Sequence, residues 1–246
     1  YMHRDLGRFD YTPQDCFSFH EAVKNHIVPL CKELELERKN KLNLDSYRPW
    51  DTEFDVEGRS PLHPFTTGEE LTQKTIQCFY SIDPFFGKCI EIMKSLGHLD
   101  LESRKGKAPG GYNYPLYETG IPFIFMNSAG LHRDVVTMVH EGGHALHSIL
   151  TRDLPITENK SVPSEVAELA SMSMELISME NWQSFFESAD DLQRAKKEQI
   201  EKVIKALPWI AAIDKFQHWL YTNPKHTTEE RSEYWVNLMK EFGTGV

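Results

Sequence analysis

Apolar residues recur at helical spacing over most of this chain, and strand-like runs are few. Thr12-Pro13 is a helix start, with a capping side chain followed by proline at the first helical position. The stretch after it, DCFSFHEAVKNHIVPLCKELELERKN, predicts a helix with a kink at Pro29. YRPWDTEFDVEGRSPLHPFTTG, rich in proline, glycine and charge, predicts an irregular connector. Thr66 or Thr67 caps the next helix, expected over roughly residues 69–96, with Asp83-Pro84 and Gly87 as interruptions. RKGKAPGGYNYPLYETG reads as a glycine-rich loop or hairpin. IPFIFMNSAG, bounded by Gly120 and Gly130, reads as a strand. Pro122 lacks an amide hydrogen, which puts that strand at a sheet edge. Helices are then expected over 133–152, 162–180, 184–206, 208–221 and 228–242. The pattern predicts a mainly α protein with a small β-sheet (α+β) and no internal repeat.

Composition narrows the classes. The chain has 246 residues, 40% of them apolar and 26% charged, as in an ordinary globular domain. Its formal net charge of -10 argues against nucleic acid and anionic membranes as partners, since both repel an acidic body. No apolar run is long enough to span a bilayer, and no secretory signal opens the chain. Cys16, Cys31, Cys78 and Cys89 are dispersed and form no C-x-x-C pair, so they read as thiols in a reducing compartment, the cytoplasm. The chain opens on Tyr1 and stops after KEFGTGV, which suggests a fragment of a longer protein.

One cluster carries chemistry. In VHEGGHALH, His140 and His144 are four apart, so on a helix they lie about 40° from each other and both imidazoles point one way. Zinc takes imidazole nitrogens, and a catalytic zinc typically uses three protein ligands and leaves a position to water. Glu141 follows the first histidine and is placed to take a proton from such a water. H-E-x-x-H also arises by accident, so context decides: the motif sits in a good helical window, directly after a strand, with acids downstream. The expected cofactor is one Zn²⁺.

A third ligand must come from elsewhere. SVPSEVAELASMSMELI is a helix carrying Glu165, Glu168 and Glu175 on one face. Acids on one face are usually solvated, but the small and apolar residues around these suggest burial, and a buried carboxylate needs a metal or a partner. Spacing does not choose among the three. His147, one turn past His144, reads as a supporting histidine, because a fourth protein ligand would close the open position. The loop GKAPGGYNY lacks the order of a phosphate loop; it is either a hairpin turn or a flap bringing Tyr112 or Tyr114 to a substrate. The edge backbone at Phe125, Met126 and Asn127 is expected to pair with an extended substrate, the apolar side chains of 121–126 facing the core.

DVVTMVHEGGHALHS, VAELASMSMEL, GKAPGGY and IPFIFMN together resemble the thimet oligopeptidase and oligoendopeptidase F family of zinc metallopeptidases. The likeness extends more loosely over RPWD, IDKFQHWLY and EYWVNLMKEFGTGV. The resemblance implies His140, His144 and Glu168 as zinc ligands, Glu141 as general base and Glu175 as an acid supporting the metal histidines. It implies a zincin-like catalytic core in a helical body, acting as an endopeptidase on short unstructured peptides. The change of character near residue 100 divides the chain into a helical lead (1–100) and a zinc-site core (101–246), read together as one catalytic domain. Family members continue past the point where this chain ends, with a histidine and tyrosines that stabilise the tetrahedral intermediate. Two other readings stand beside it. A zinc aminopeptidase would carry an acid where IPFIFMNSAG has none. A truncated peptide-binding module would hold metal without turnover.

Overall fold

The computed structural model describes residues 2–52 and 54–246; Tyr1, and Glu53 of the expected connector, lie outside the described residues. The chain forms two compact units, Tyr1–Ser60 with Glu198–Val246, and Pro61–Lys197. The helices are α1 (Met2–Asp5), α2 (Pro13–Ala22), α3 (Val28–Lys41), α4 (Gly68–Ile82), α5 (Pro84–Ser95), α6 (His132–Thr151), α7 (Ser164–Ser178), α8 (Ala189–Thr222) and α9 (Thr228–Phe242). The strands are β1 (Leu99–Glu102), β2 (Tyr112–Tyr114) and β3 (Phe123–Ser128). The protein is thus mainly α with one small sheet.

In the first unit α2 starts at Pro13, and the Thr12 amide donates to Asp15 at 2.8 Å. No sharp break occurs at Pro29. The chain widens into a π-turn over Val23–Ile27, which relieves the hydrogen-bond register just before the proline. Helices expected separately over 184–206 and 208–221 are one, α8, with Pro208 inside it. The proline removes the amide that would bond Ile204, and the Cys31 thiol donates to that carbonyl instead, at 3.8 Å. Val23, Ala211, Ala212, Leu238 and Phe242 form this unit's core.

In the Pro61–Lys197 unit, Thr67 accepts from the Glu70 amide at 3.1 Å and starts α4. The helical stretch expected over 69–96 divides at Asp83, one of the two interruptions expected there, while α5 runs unbroken through Gly87. Preceding a proline, Asp83 is extended (φ -153°, ψ 135°) and caps α5 through the Phe85 amide at 2.7 Å. The core gathers Phe79, Ile90, Met93, Ile124, Met138, Val139 and Trp182 from both helices, the sheet, α6 and the turn after α7.

The sheet corrects one expectation. Strand order is β1-β3-β2, so β3 is central and not at an edge. It runs parallel to β1 and antiparallel to β2, with Phe125 opposite both Asp100 and Tyr112. Pro122 falls just before the strand begins at Phe123, where its missing amide removes no ladder bond. A substrate therefore cannot pair along β3.

The glycine-rich stretch between β1 and β2 is anchored. Lys107 Nζ is buried and donates to the carbonyls of Asp100 at 3.0 Å and Glu102 at 2.7 Å and to the Asp100 carboxylate at 3.0 Å. The Asn127 amide donates to the carbonyls of Ala108 (2.8 Å) and Gly110 (2.9 Å). The Arg104 guanidinium holds the Asp100 carboxyl down to about 2, with burial opposing and Lys107 adding to it. A depressed carboxylate pKa contributes stability above about pH 4, lost as the pH falls towards the folded value. Lys107→Met keeps the stem and removes three donated bonds. Amide exchange over residues 103–111 should then speed up about tenfold or more, the kinetic equivalent of about 1–3 kcal/mol. In the unmodified protein the same amides should loosen as the pH falls from about 4 to about 2. Exchange unchanged in both experiments would contradict the anchoring.

Candidate metal centre

Helix α6 carries the histidine motif, and its start has no serine or threonine cap. Asp134, in the first turn, reaches back and accepts from the amides of Ala129 (2.8 Å) and Leu131 (2.9 Å). The buried side, with Val135, Met138, Val139, Leu146 and Ile149, packs into the core. His140 and His144 project from the other side and stand edge to face, ring centroids 4.9 Å apart.

Gly143 explains why α7 comes so close, and Gly142 does the same for Phe79 of α4. A Cβ on Gly143 would lie 2.8 Å from the Ala170 carbonyl oxygen and 2.8 Å from Ser171 Cα, both backbone. One on Gly142 would lie 2.7 Å from the Phe79 ring. Glycine inside a helix costs about 1 kcal/mol relative to alanine; here it allows two helix backbones to touch. That approach brings the Glu168 carboxylate within 3.4 Å of His140 Nε2 and 3.7 Å of His144 Nε2. The ligand-type atoms of His140, His144 and Glu168 all lie within 4.8 Å of one another. A tetrahedral ion about 2.1 Å from each ligand would space them about 3.4 Å apart, so two imidazoles and a carboxylate here suit zinc in both spacing and donor type.

The surrounding groups orient these three. Glu175 is buried and accepts from His140 Nδ1 at 2.7 Å, which turns Nε2 toward Glu168. The Ser171 hydroxyl donates to the Glu168 carboxylate at 3.1 Å. Glu165 is exposed and outside the group. His147 lies a turn further on, partly buried, and reaches His144 only through its charge.

Glu141 is buried beside this group. The backbone N–H of Asn113 in β2 donates to its carboxylate, yet Oε2 has no hydrogen-bond partner. A carboxylate oxygen left orphaned in the interior is costly, and its position beside two imidazoles is where a metal's water would sit. Burial raises the Glu141 pKa, the His140 charge lowers it and Glu168 raises it, for a net rise. The two imidazoles move oppositely. Burial alone would lower His140, but the Glu175 hydrogen bond and charge leave it raised. His144 has no such partner, so burial and the His140 charge lower it.

The substrate-side expectations divide. Tyr112 is exposed and stacks on Phe125, with centroids 5.0 Å apart and planes at 11°. Met126 is 1% exposed; its side chain faces the core, because alternation along β3 turns Ile124, Met126 and Ser128 inward. Asn127 spends its amide on the glycine-rich loop. Sequence reasoning missed Asn113, Ser171 and Lys107, for which residue type gave no signal. It also missed Gly143, where a Gly-Gly pair inside a helix does mark close packing.

Known proteins point the same way. Peptidase family M3 matches residues 1–245. The chain is 27% identical to the chromosomal oligoendopeptidase F of Lactococcus lactis subsp. cremoris over 174 residues, 71% of this chain and 28% of that protein. Its fold matches a candidate oligoendopeptidase F from Bacillus anthracis with a TM-score of 0.90 at 26% identity, covering 98% of this chain and 44% of the other. PZ peptidase A, solved with an inhibitor, matches with a TM-score of 0.90 at 28% identity, covering 98% and 42%. The chain therefore spans less than half the length of these relatives.

Gly143→Ala tests the close approach. Alanine would gain about 1 kcal/mol of helix propensity. Forcing α7 back should cost more, about 1–3 kcal/mol, and displacing Glu168 and Glu175 should weaken zinc about 10–100-fold. Calorimetric melting and zinc titration read both. A variant that is more stable and binds zinc unchanged would contradict the constraint.

Proposed function

The chain belongs to peptidase family M3, and we propose that it carries the metal site of a zinc-dependent endopeptidase acting on short unstructured peptides. The observation that carries this reading is Glu141: a buried carboxylate with one unpartnered oxygen, beside two imidazoles and a third acid. His140, His144 and Glu168 are the proposed ligands. A zinc ion there supplies Lewis acidity toward a peptide carbonyl and a water molecule.

The remaining work falls to the chain's own groups. Glu141 takes the proton of the attacking water and returns it to the leaving amine. A pKa raised by burial suits a group that must both accept and give a proton near neutral pH. Asn113 fixes its carboxylate from β2, and Glu175 holds His140 by Nδ1. The outer edge of β2, where Tyr112 and Tyr114 are exposed, takes the place of β3 in meeting an extended peptide backbone, apart from the Asn113 amide, which bonds Glu141. Only an unfolded segment can present such a backbone, which supports the preference for short peptides, as do the relatives' names. The cysteines are free, which supports a reducing, cytoplasmic setting, and no helix among the described residues is long and apolar enough to cross a membrane.

The test uses the longest natural form containing this chain, with zinc quantified and turnover of a quenched peptide followed. Glu168→Gln should lose the metal and Glu165→Gln should keep it. Glu141→Gln should keep zinc while turnover falls by about 10²–10⁴-fold, the usual worth of general base catalysis. Full turnover in zinc-loaded Glu141→Gln would rule Glu141 out as the base, and metal loss in Glu165→Gln alone would overturn the ligand set.

A further inference from the structure

A second group of ligand-type side chains lies in the other unit. His3 of α1, Cys16 of α2 and His218 of α8 offer a sulfur and two ring nitrogens, all within 4.8 Å of one another. Cys16 and His218 are buried and His3 is half-buried. The His3 and His218 rings meet edge to face at 5.7 Å. Ring packing satisfies their apolar faces but not their nitrogens: Nε2 of His3 and Nε2 of His218 are both buried without a hydrogen-bond partner. A buried polar atom left without a partner is costly. Two such histidines, each with a ring nitrogen within 4.8 Å of one thiol and coming from segments far apart in the chain, are more than packing requires.

One carboxylate faces the group. Asp214, one turn before His218 on α8, places Oδ2 3.5 Å from His218 Nε2. Its carboxylate is held in place by His20 Nε2 at 2.8 Å and by Arg8 Nη1 at 3.2 Å. Burial first, and then the Asp214 charge, push the Cys16 thiol up, so without a metal it stays neutral. A bound cation displaces that proton and makes the sulfur a ligand.

We propose that His3, Cys16 and His218 form a second metal site, for zinc, separate from the His140 centre and structural in role. Thiolate and imidazole select zinc over the oxygen-seeking magnesium and calcium. Such an ion would tie α1 and α2 to α8 where those elements otherwise meet through rings and one ion-pair network.

Sulfur makes the claim testable, since the His140, His144 and Glu168 set contains none. The probe is cobalt(II), titrated into the metal-free protein and followed by absorbance, with bound metal counted. Two equivalents should bind, and a sulfur-to-cobalt charge-transfer band should appear in the near ultraviolet. His140→Ala/His144→Ala should remove one equivalent and keep the band. Cys16→Ser should remove the band and keep the other equivalent. His3→Gln, a change of one side chain on the four-residue helix α1, should weaken cobalt at this site at least about tenfold. Circular dichroism confirms that each variant folds, and His3→Gln carries the test alone if Cys16→Ser does not fold. A single equivalent with no sulfur band, a band surviving Cys16→Ser, or cobalt binding unaltered in His3→Gln would each overturn the proposal.

Discussion

The approach of α6 to α7 at Gly143 is the constraint on which the site depends. Two helix backbones touch there, with the Ala170 carbonyl and Ser171 Cα where a side chain would begin. Helices normally pack at about 8–10 Å because side chains intervene. With that layer removed, carboxylates on α7 reach imidazoles on α6 directly. Glu168 then faces both Nε2 atoms, and Glu175, two turns on, reaches the back of His140. A glycine unfavourable for the helix is thus what makes the tertiary cluster attainable.

The second support comes from the sheet. Inward residues of β3, Ile124 and Met126, join the core, while β2 presents its backbone to Glu141 through Asn113. The position of β2 depends in turn on the loop before it. Lys107 and Asn127 tie that loop to β1 and β3, one donating to carbonyls of β1 and the other to carbonyls of the loop. The electrostatics follow from placement. Two like imidazoles, one turn apart, shift in opposite directions because only one has a carboxylate behind it.

Much of this was legible in the residues. The helical periodicity gave α6, α7 and α9 nearly to their ends, and the spacing of His140, Glu141 and His144 gave their common face. The failures have physical causes. Pro122 argued for an edge strand, but it precedes the strand and costs no bond. Helices expected separately over 184–206 and 208–221 run on as one through Pro208, where the Cys31 thiol takes over the carbonyl the proline leaves without an amide. The choice among Glu165, Glu168 and Glu175 needed a resemblance, because one helix face carries all three and only the approach at Gly143 decides which reaches the histidines. Asn113 acts through a tertiary contact that no local pattern encodes, while Ser171 and Lys107 act on groups three to seven residues away that their residue types did not signal.

The most direct measurement is anomalous diffraction at the zinc absorption edge from crystals of the zinc-loaded protein. The account predicts a peak bounded by Nε2 of His140, Nε2 of His144 and the Glu168 carboxylate, with Glu175 behind His140 and Glu141 beside the peak but not bonded to it. A peak seated on Glu165 or Glu175, or no peak between the two histidines, would contradict it.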